Sequence, residues 1–149
     1  MAGLSDFKTD KQAESDGRWV IFAGICKVLV RRAGSSHKRF QLAFTKATRP
    51  YRHAMENDNM DNDVVTKILA SLYSDYIIVD WSTWVAADGD KEGCWQQGIE
   101  LDGGEIVPIT KETITERLIE IPEIFDLIRE ESTKASNYRV EAREADAEN

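Results

Sequence analysis

The first regular pattern along the chain is an alternation. Arg18 to Phe22 and Ile25 to Arg31 are rich in Val, Ile, Trp and Phe, and in the second run Cys26, Val28 and Val30 alternate with Lys27, Leu29 and Arg31. Successive side chains of a strand point to opposite faces, so this is the pattern of a sheet with one wet face. Ala23-Gly24 between the runs supplies the permissive backbone of a tight turn, and the two runs are predicted to pair as a β-hairpin.

After the breaker Ala33-Gly34-Ser35-Ser36 the period lengthens. Phe40, Ala43, Phe44, Ala47, Tyr51, Ala54 and Met55 fall at steps of three and four, the apolar stripe of a helix over 36–55, and Pro50 inside it should bend or split that helix. The polar residues 57–62 offer caps for a second helix, whose stripe is Val64, Val65, Ile68, Leu69, Leu72, Tyr73, Tyr76 and Val79. From Trp81 to Pro108 glycines and acids interrupt every apolar run, which predicts a long irregular loop with at most a short hairpin. Thr110 is placed to cap a third helix, with Ile109 and Ile114 spaced for a hydrophobic staple and Ile114, Leu118 and Ile121 as its buried side. Pro122 suits the first turn of a fourth helix carrying Ile124, Phe125, Leu127, Ile128, Ala135 and Tyr138. The expected fold is α+β, mainly α: a short N-terminal β-hairpin, then about four helices, with the long irregular loop between the second and third.

Composition adds boundaries. A length of 149 residues with a 42% hydrophobic share suits one globular domain, taken as 18–138. Residues 1–17 are charged and poor in large apolar groups, and 139–149 form a polar, acidic end, so both are expected to be flexible. No apolar run approaches the length of a membrane span, and the start lacks the basic-then-apolar pattern of a secretory signal, so the chain is expected to stay in the compartment where it is made. Cys26 and Cys94 belong to no CxxC pair and read as free thiols.

Charge matters more for its distribution than for its total of −8. Residues 27–55 contain eight Lys or Arg and no acid, whereas acids dominate from Glu56 onward. Such a two-sided chain can present a nucleic-acid face, or can pair its halves within itself or between copies. Phe40, Phe44 and Tyr51 interleave with the cations between Arg31 and Arg52, but they share one helical stripe and are better explained as core, which disfavours a nucleic-acid-binding regulator.

Chemistry is sparse. Asp88-Gly89-Asp90-Lys91-Glu92-Gly93 resembles the first half of an EF-hand loop, but Ile99 stands where the closing glutamate is needed, so the segment reads as a solvated turn with no metal. His37 and His53 lie on the basic helix with no nucleophile motif nearby and read as exposed. No nucleotide-binding or zinc-hydrolase motif occurs, so an enzyme and a cofactor are not expected. Trp81 and Trp84, with Trp95 nearby, form the densest aromatic group, placed either to anchor the long loop or to offer a contact patch.

The order of pieces carries a resemblance. A charged arm precedes Gly17-Arg18-Trp19-Val20, and a strand ends in Val30-Arg31-Arg32-Ala33-Gly34. Then come Lys38-Arg39-Phe40, Arg49-Pro50-Tyr51-Arg52, an apolar helix into Val79-Asp80-Trp81, an acidic glycine turn, Val107-Pro108-Ile109-Thr110, Ile121-Pro122-Glu123-Ile124 and Asn137-Tyr138-Arg139. This resembles the tail assembly chaperones of long-tailed bacteriophages, although the segment from Asp88 to Glu105 is longer than the usual turn of that family. The resemblance implies a protein of the host cell cytoplasm that coats the tape measure protein and brings tail tube subunits to it. Repeated copies along one rod would gain avidity from modest single contacts, which leaves a homo-oligomer open. The expected partner surface is Arg49, Pro50, Tyr51 and Arg52 together with Trp81 and Trp84. The alternative within the same setting is a permanent virion part of the tail or head–tail junction.

Overall fold

The computed structural model describes residues 3, 4, 11–34, 37–134 and 138. The predicted hairpin is present as β1 (Arg18–Phe22) and β2 (Cys26–Val30), in register from Arg18 opposite Val30 to Phe22 opposite Cys26. Its turn is closed by the Ile25 N–H donating to the Phe22 carbonyl at 3.0 Å. Ala23 and Gly24 are both left-handed, at φ +52° and +68°, the geometry that matches the twist of paired strands.

The hairpin is half of a larger sheet, and this overturns the expected fold. β2 pairs on its other side with β3 (Ile78–Val85), and β3 with β4 (Cys94–Gln97), giving an antiparallel order β1-β2-β3-β4. A second, two-stranded sheet joins β5 (Ile99–Glu100) to β6 (Ile106–Val107). The segment from Trp81 to Pro108 therefore carries most of β3 and all of β4, β5 and β6, rather than an irregular loop with at most a short hairpin. Two physical causes explain the difference. Apolar spacing at helical steps continues through Val79, yet the second helix stops at Tyr76, where the run Ile77-Ile78-Val79 introduces the β-branched residues that favour extended backbone. Val79 falls at the register shift between Leu29 and Val30 and is exposed. The later strands, of four, two and two residues, are too short to show any period.

The helical parts follow their sequence signals more closely. A short α1 (Lys11–Asp16) lies inside the segment expected to be a flexible arm, and Arg32 holds it through Glu14 at 2.8 Å. The helix expected over 36–55 divides at Pro50 into α2 (Lys38–Thr48), a 3-10 turn (Arg49–Tyr51) and α3 (Arg52–Glu56). The Asp61 carboxylate caps α4 (Asn62–Tyr76), accepting from the Asp63 N–H at 2.9 Å. Thr110 and Thr113 cap α5 (Lys111–Glu120) reciprocally. Pro122 opens α6 (Pro122–Thr133), which ends before Tyr138; residues 135–137, like the acidic end 139–149, lie outside the described residues. Tyr138 itself is fully buried and donates to the Val30 carbonyl at 3.1 Å.

The core lies between the helices and one face of the large sheet. Phe22, Cys26, Val28, Val30, Ile78 and Trp81 point inward against Phe40, Leu72, Tyr73, Leu118, Phe125 and Ile128. Tyr73 is central: its ring meets Phe40 at 5.5 Å and Phe125 at 5.4 Å, both edge to face, an arrangement that adds to the burial of apolar area. Ile121 is only half-buried and Leu127 is exposed, so the apolar stripes of α5 and α6 are narrower than predicted.

Two outcomes follow. Gly98 joins β4 to β5 at φ +135°, and a Cβ there would stand 2.6 Å from Ile106 Cγ2 and 2.7 Å from the Val107 carbonyl oxygen. Gly98→Ala must therefore destabilise by about 2 kcal/mol or more, read as a lowered urea midpoint at unchanged m-value. Alkaline pH should act through Cys26, whose thiol is pushed up to about 11 by burial and by the charge of Glu100, against an ordinary value of 9.0. Between these values the unfolded chain binds fewer protons than the folded one, so stability falls as pH rises through that window, by on the order of 2 kcal/mol. Burial raises Tyr73 and Tyr138 in the same sense at higher pH. Urea melts from pH 8 to 11 should show the decline, with a shallower slope between 9 and 11 for Cys26→Ala.

Candidate protein interface

The inward residues of β2 and β3 enter the core, which leaves Trp19, Ile21, Lys27, Leu29, Ser82, Trp84, Trp95 and Gln97 on the opposite face by the alternation of strands. Trp19, Ile21, Lys27, Leu29, Trp84 and Trp95 take no part in the buried cluster. Across this face the side chains form a row. Lys27 Nζ lies 4.6 Å from the Trp19 ring centroid on one side and 5.2 Å from that of Trp95 on the other. A cation between two aromatic faces is held by the ring quadrupoles, and here it roofs Ser82, its register partner, which is buried. Trp84 pairs with Trp95 across β3 and β4, ring centroids 5.2 Å apart at 72°, and its ring covers Gly93 so closely that any side chain there would collide with it.

This face ends in exposed aliphatic side chains. Ile21 is 60% and Ile25 61% exposed, and Trp84 is 41% exposed. Three tryptophans and two isoleucines on one side of a sheet make a larger apolar surface than scattered single residues do, the kind that marks a contact with another macromolecule.

A second open surface lies at the bend between α2 and α3. Neither the 3-10 turn nor α3 contains a buried residue, and Leu42, Tyr51 and Met55 are 72%, 41% and 40% exposed. A groove of about 480 Å³ is lined here by Phe44, Thr45, Thr48, Arg49, Arg52, Met55 and Glu56. Arg52 also meets Glu56 at 3.2 Å, an exposed pair of little weight.

The residues singled out from sequence are thus distributed unequally. Arg49, Pro50, Tyr51 and Arg52 are exposed at the bend, and Trp84 is on the open sheet face. Trp81 is 4% exposed and faces the core, because residues three apart on a strand point to opposite sides, so it is removed from the contact surface. His53 is exposed on α3, but His37 is a structural residue: its Nδ1 accepts from the Phe40 N–H at 3.2 Å as the N-cap of α2, and its Nε2 lies 3.2 Å from the Tyr76 carbonyl. With Nδ1 accepting, Nε2 carries the proton and donates. Asp88 and Lys91 exchange backbone hydrogen bonds of 3.0 Å at the tip of the β3–β4 hairpin. Among the described residues no group of three or more His, Cys, Asp or Glu side chains is placed to hold a metal ion. Cys94 is exposed on β4 and Cys26 is buried; both are free.

Sequence reasoning missed Trp19, Ile21, Ile25 and Lys27 as surface residues of interest. The signal was available in the alternation of β1 and β2, which puts Trp19, Ile21, Lys27 and Leu29 on the face opposite Val28 and Val30.

Among the described residues no helix is long and apolar enough to cross a membrane. No curated protein and no solved structure matches the chain. A family model described as YdaY prophage protein matches residues 35–149, from the breaker before α2 to the last residue, and the chain belongs to that phage-derived family.

Proposed function

We propose that this protein is a phage tail assembly chaperone that acts in the host cytoplasm by binding the tape measure protein and bringing tail tube subunits to it. The observation that carries the reading is the open sheet face with Trp19, Trp84, Trp95, Ile21 and Ile25. A tape measure is a long helical rod with an apolar stripe that aggregates unless covered, and an apolar sheet face rimmed by polar groups is a suitable cover. The bend carrying Arg49, Pro50, Tyr51 and Arg52 supplies a second contact, with an apolar groove and two cations for the acidic flank of an amphipathic helix. Many weak contacts by successive copies along one rod hold through avidity, which suits a helper that must later leave. Membership of a prophage family supports a phage setting, and the order of sequence pieces, which resembles that of tail assembly chaperones, supports the finer assignment.

Co-expression with the tape measure gene of the same prophage tests it. The rod is expected to become soluble and to co-purify with this chain, and to precipitate when the chain carries Ile21→Ser with Ile25→Ser. Both isoleucines are largely exposed, so the thermal melt of the double variant should stay close to that of the parent. Trp84→Ala should weaken binding roughly 30-fold, the loss typical of a contact hot spot. A tape measure that precipitates equally with and without this chain overturns the proposal. A chain found at stoichiometric levels by mass spectrometry of purified particles would reassign it as a permanent virion part.

A further inference from the structure

Away from both surfaces, a cleft of about 490 Å³ opens between α1, the end of β2 and the start of α2. Its described lining is Lys11, Glu14, Ser15, Arg31, Arg32, His37, Lys38 and Arg39. Five of these side chains are formally cationic and one is a carboxylate, a local excess of four positive charges on a chain whose net charge is −8.

The geometry separates structural cations from the rest. Arg32 is committed to Glu14 at 2.8 Å, and Arg31 Nε donates to the Ser15 carbonyl at 2.6 Å, so these two fasten α1 to the sheet and hold the cleft walls. Lys11, Lys38 and Arg39 are exposed and meet no acid among the described residues. Lys38 and Arg39 also stand in the first turn of α2, which contains no acidic residue. Positive charge is unfavourable there, because the helix dipole presents its own positive end. Their placement therefore does not serve the stability of α2, and the concave shape concentrates their field on one volume. A cavity of this size, with the exposed cations Lys11, Lys38 and Arg39 reaching it from two helices and the guanidinium group of Arg39 among them, suits the oxygens of phosphate groups.

We propose that this cleft binds phosphate groups, presented by a single nucleic-acid strand or by a free nucleotide. The site is independent of the tape-measure surface: none of Trp19, Trp84, Arg49 or Arg52 lines it.

Fluorescence anisotropy of a labelled oligothymidine with the full chain tests the proposal at about 50 mM salt. Binding is expected, and its logarithm should fall with the logarithm of salt at a slope of about −2 to −3, as for three or four neutralised phosphates on a single strand. Lys38→Glu with Arg39→Glu should weaken it at least tenfold while leaving the fold intact, since acids are favoured at a helix start. Lys46→Glu with Lys67→Glu makes the same change of net charge at exposed positions outside the cleft and should change affinity less than twofold. Displacement of the oligonucleotide by ATP at micromolar concentration supports the site and assigns it to a free nucleotide; no displacement below millimolar ATP supports it and assigns it to the strand. Absence of binding at 50 mM salt, or equal losses in the two double variants, overturns the proposal.

Discussion

The end of β2 is the point on which the rest of the fold depends. Val30 is fully buried, and three distant parts of the chain bond to it or to its neighbours. Its carbonyl accepts from the Tyr138 hydroxyl, the Arg31 N–H donates to the Ile77 carbonyl at 2.8 Å, and the Ala33 N–H donates to the Ser132 carbonyl at 2.9 Å. Buried backbone groups need partners, and here each partner is supplied by a different element: the end of α4, the end of α6 and the residues beyond it. A strand predicted as part of an isolated hairpin thus becomes the meeting place of the start, middle and end of the chain.

From that junction the two faces of the sheet take separate roles. Once Val28 and Val30 turn inward, the period of the strand forces Lys27 and Leu29 outward, and pairing with β1 and β3 extends the same division to Trp19 and Trp84. The inner face receives Tyr73, Leu118, Phe125 and Ile128 from the helices, whereas the outer face relies on side chains of the sheet itself. Lys27 between two tryptophan rings and Trp84 over Gly93 give that surface a defined shape without hiding it. Pre-ordered aromatic side chains lose little entropy on contact, which is why such a face suits binding better than a mobile one.

How much of this was readable from the residues depended on whether each signal was local. The Ala23-Gly24 turn, the break at Pro50, the Asp61 and Thr110 caps and the start of α6 at Pro122 were legible, because each rests on chemistry within a few residues. The strands from Ile78 onward were not. The partner of β3 lies some fifty residues upstream in β2, and Cys94 to Gln97 alternates too briefly to show that it is an edge strand. For the candidate site the same division holds. The exposed bend at Arg49 to Arg52 follows from Pro50 alone, whereas separating Trp81 from Trp84 required knowing that both sit on a strand, where an interval of three reverses the face.

The two-sided charge of the chain finds its meaning in what it leaves undone. Among the described residues, ion pairs that cross between elements include Arg32 with Glu14, Lys111 with Asp75 and Arg117 with Asp102, and none of these three joins the cations of α2 to the acids of α6. Lys38, Arg39, Lys46 and Arg49 have no acidic partner among the described residues, and Glu123 and Asp126 have no basic one. Among the described residues, the exposed cations of α2 and these two acids of α6 are therefore not paired with each other. Exposed charge of this kind contributes little to stability and much to the rate and direction of encounter. The bend and the cleft are both built on the basic segment, so the same stretch of sequence that gives the core Phe40 also leaves cations exposed on the surface beside it.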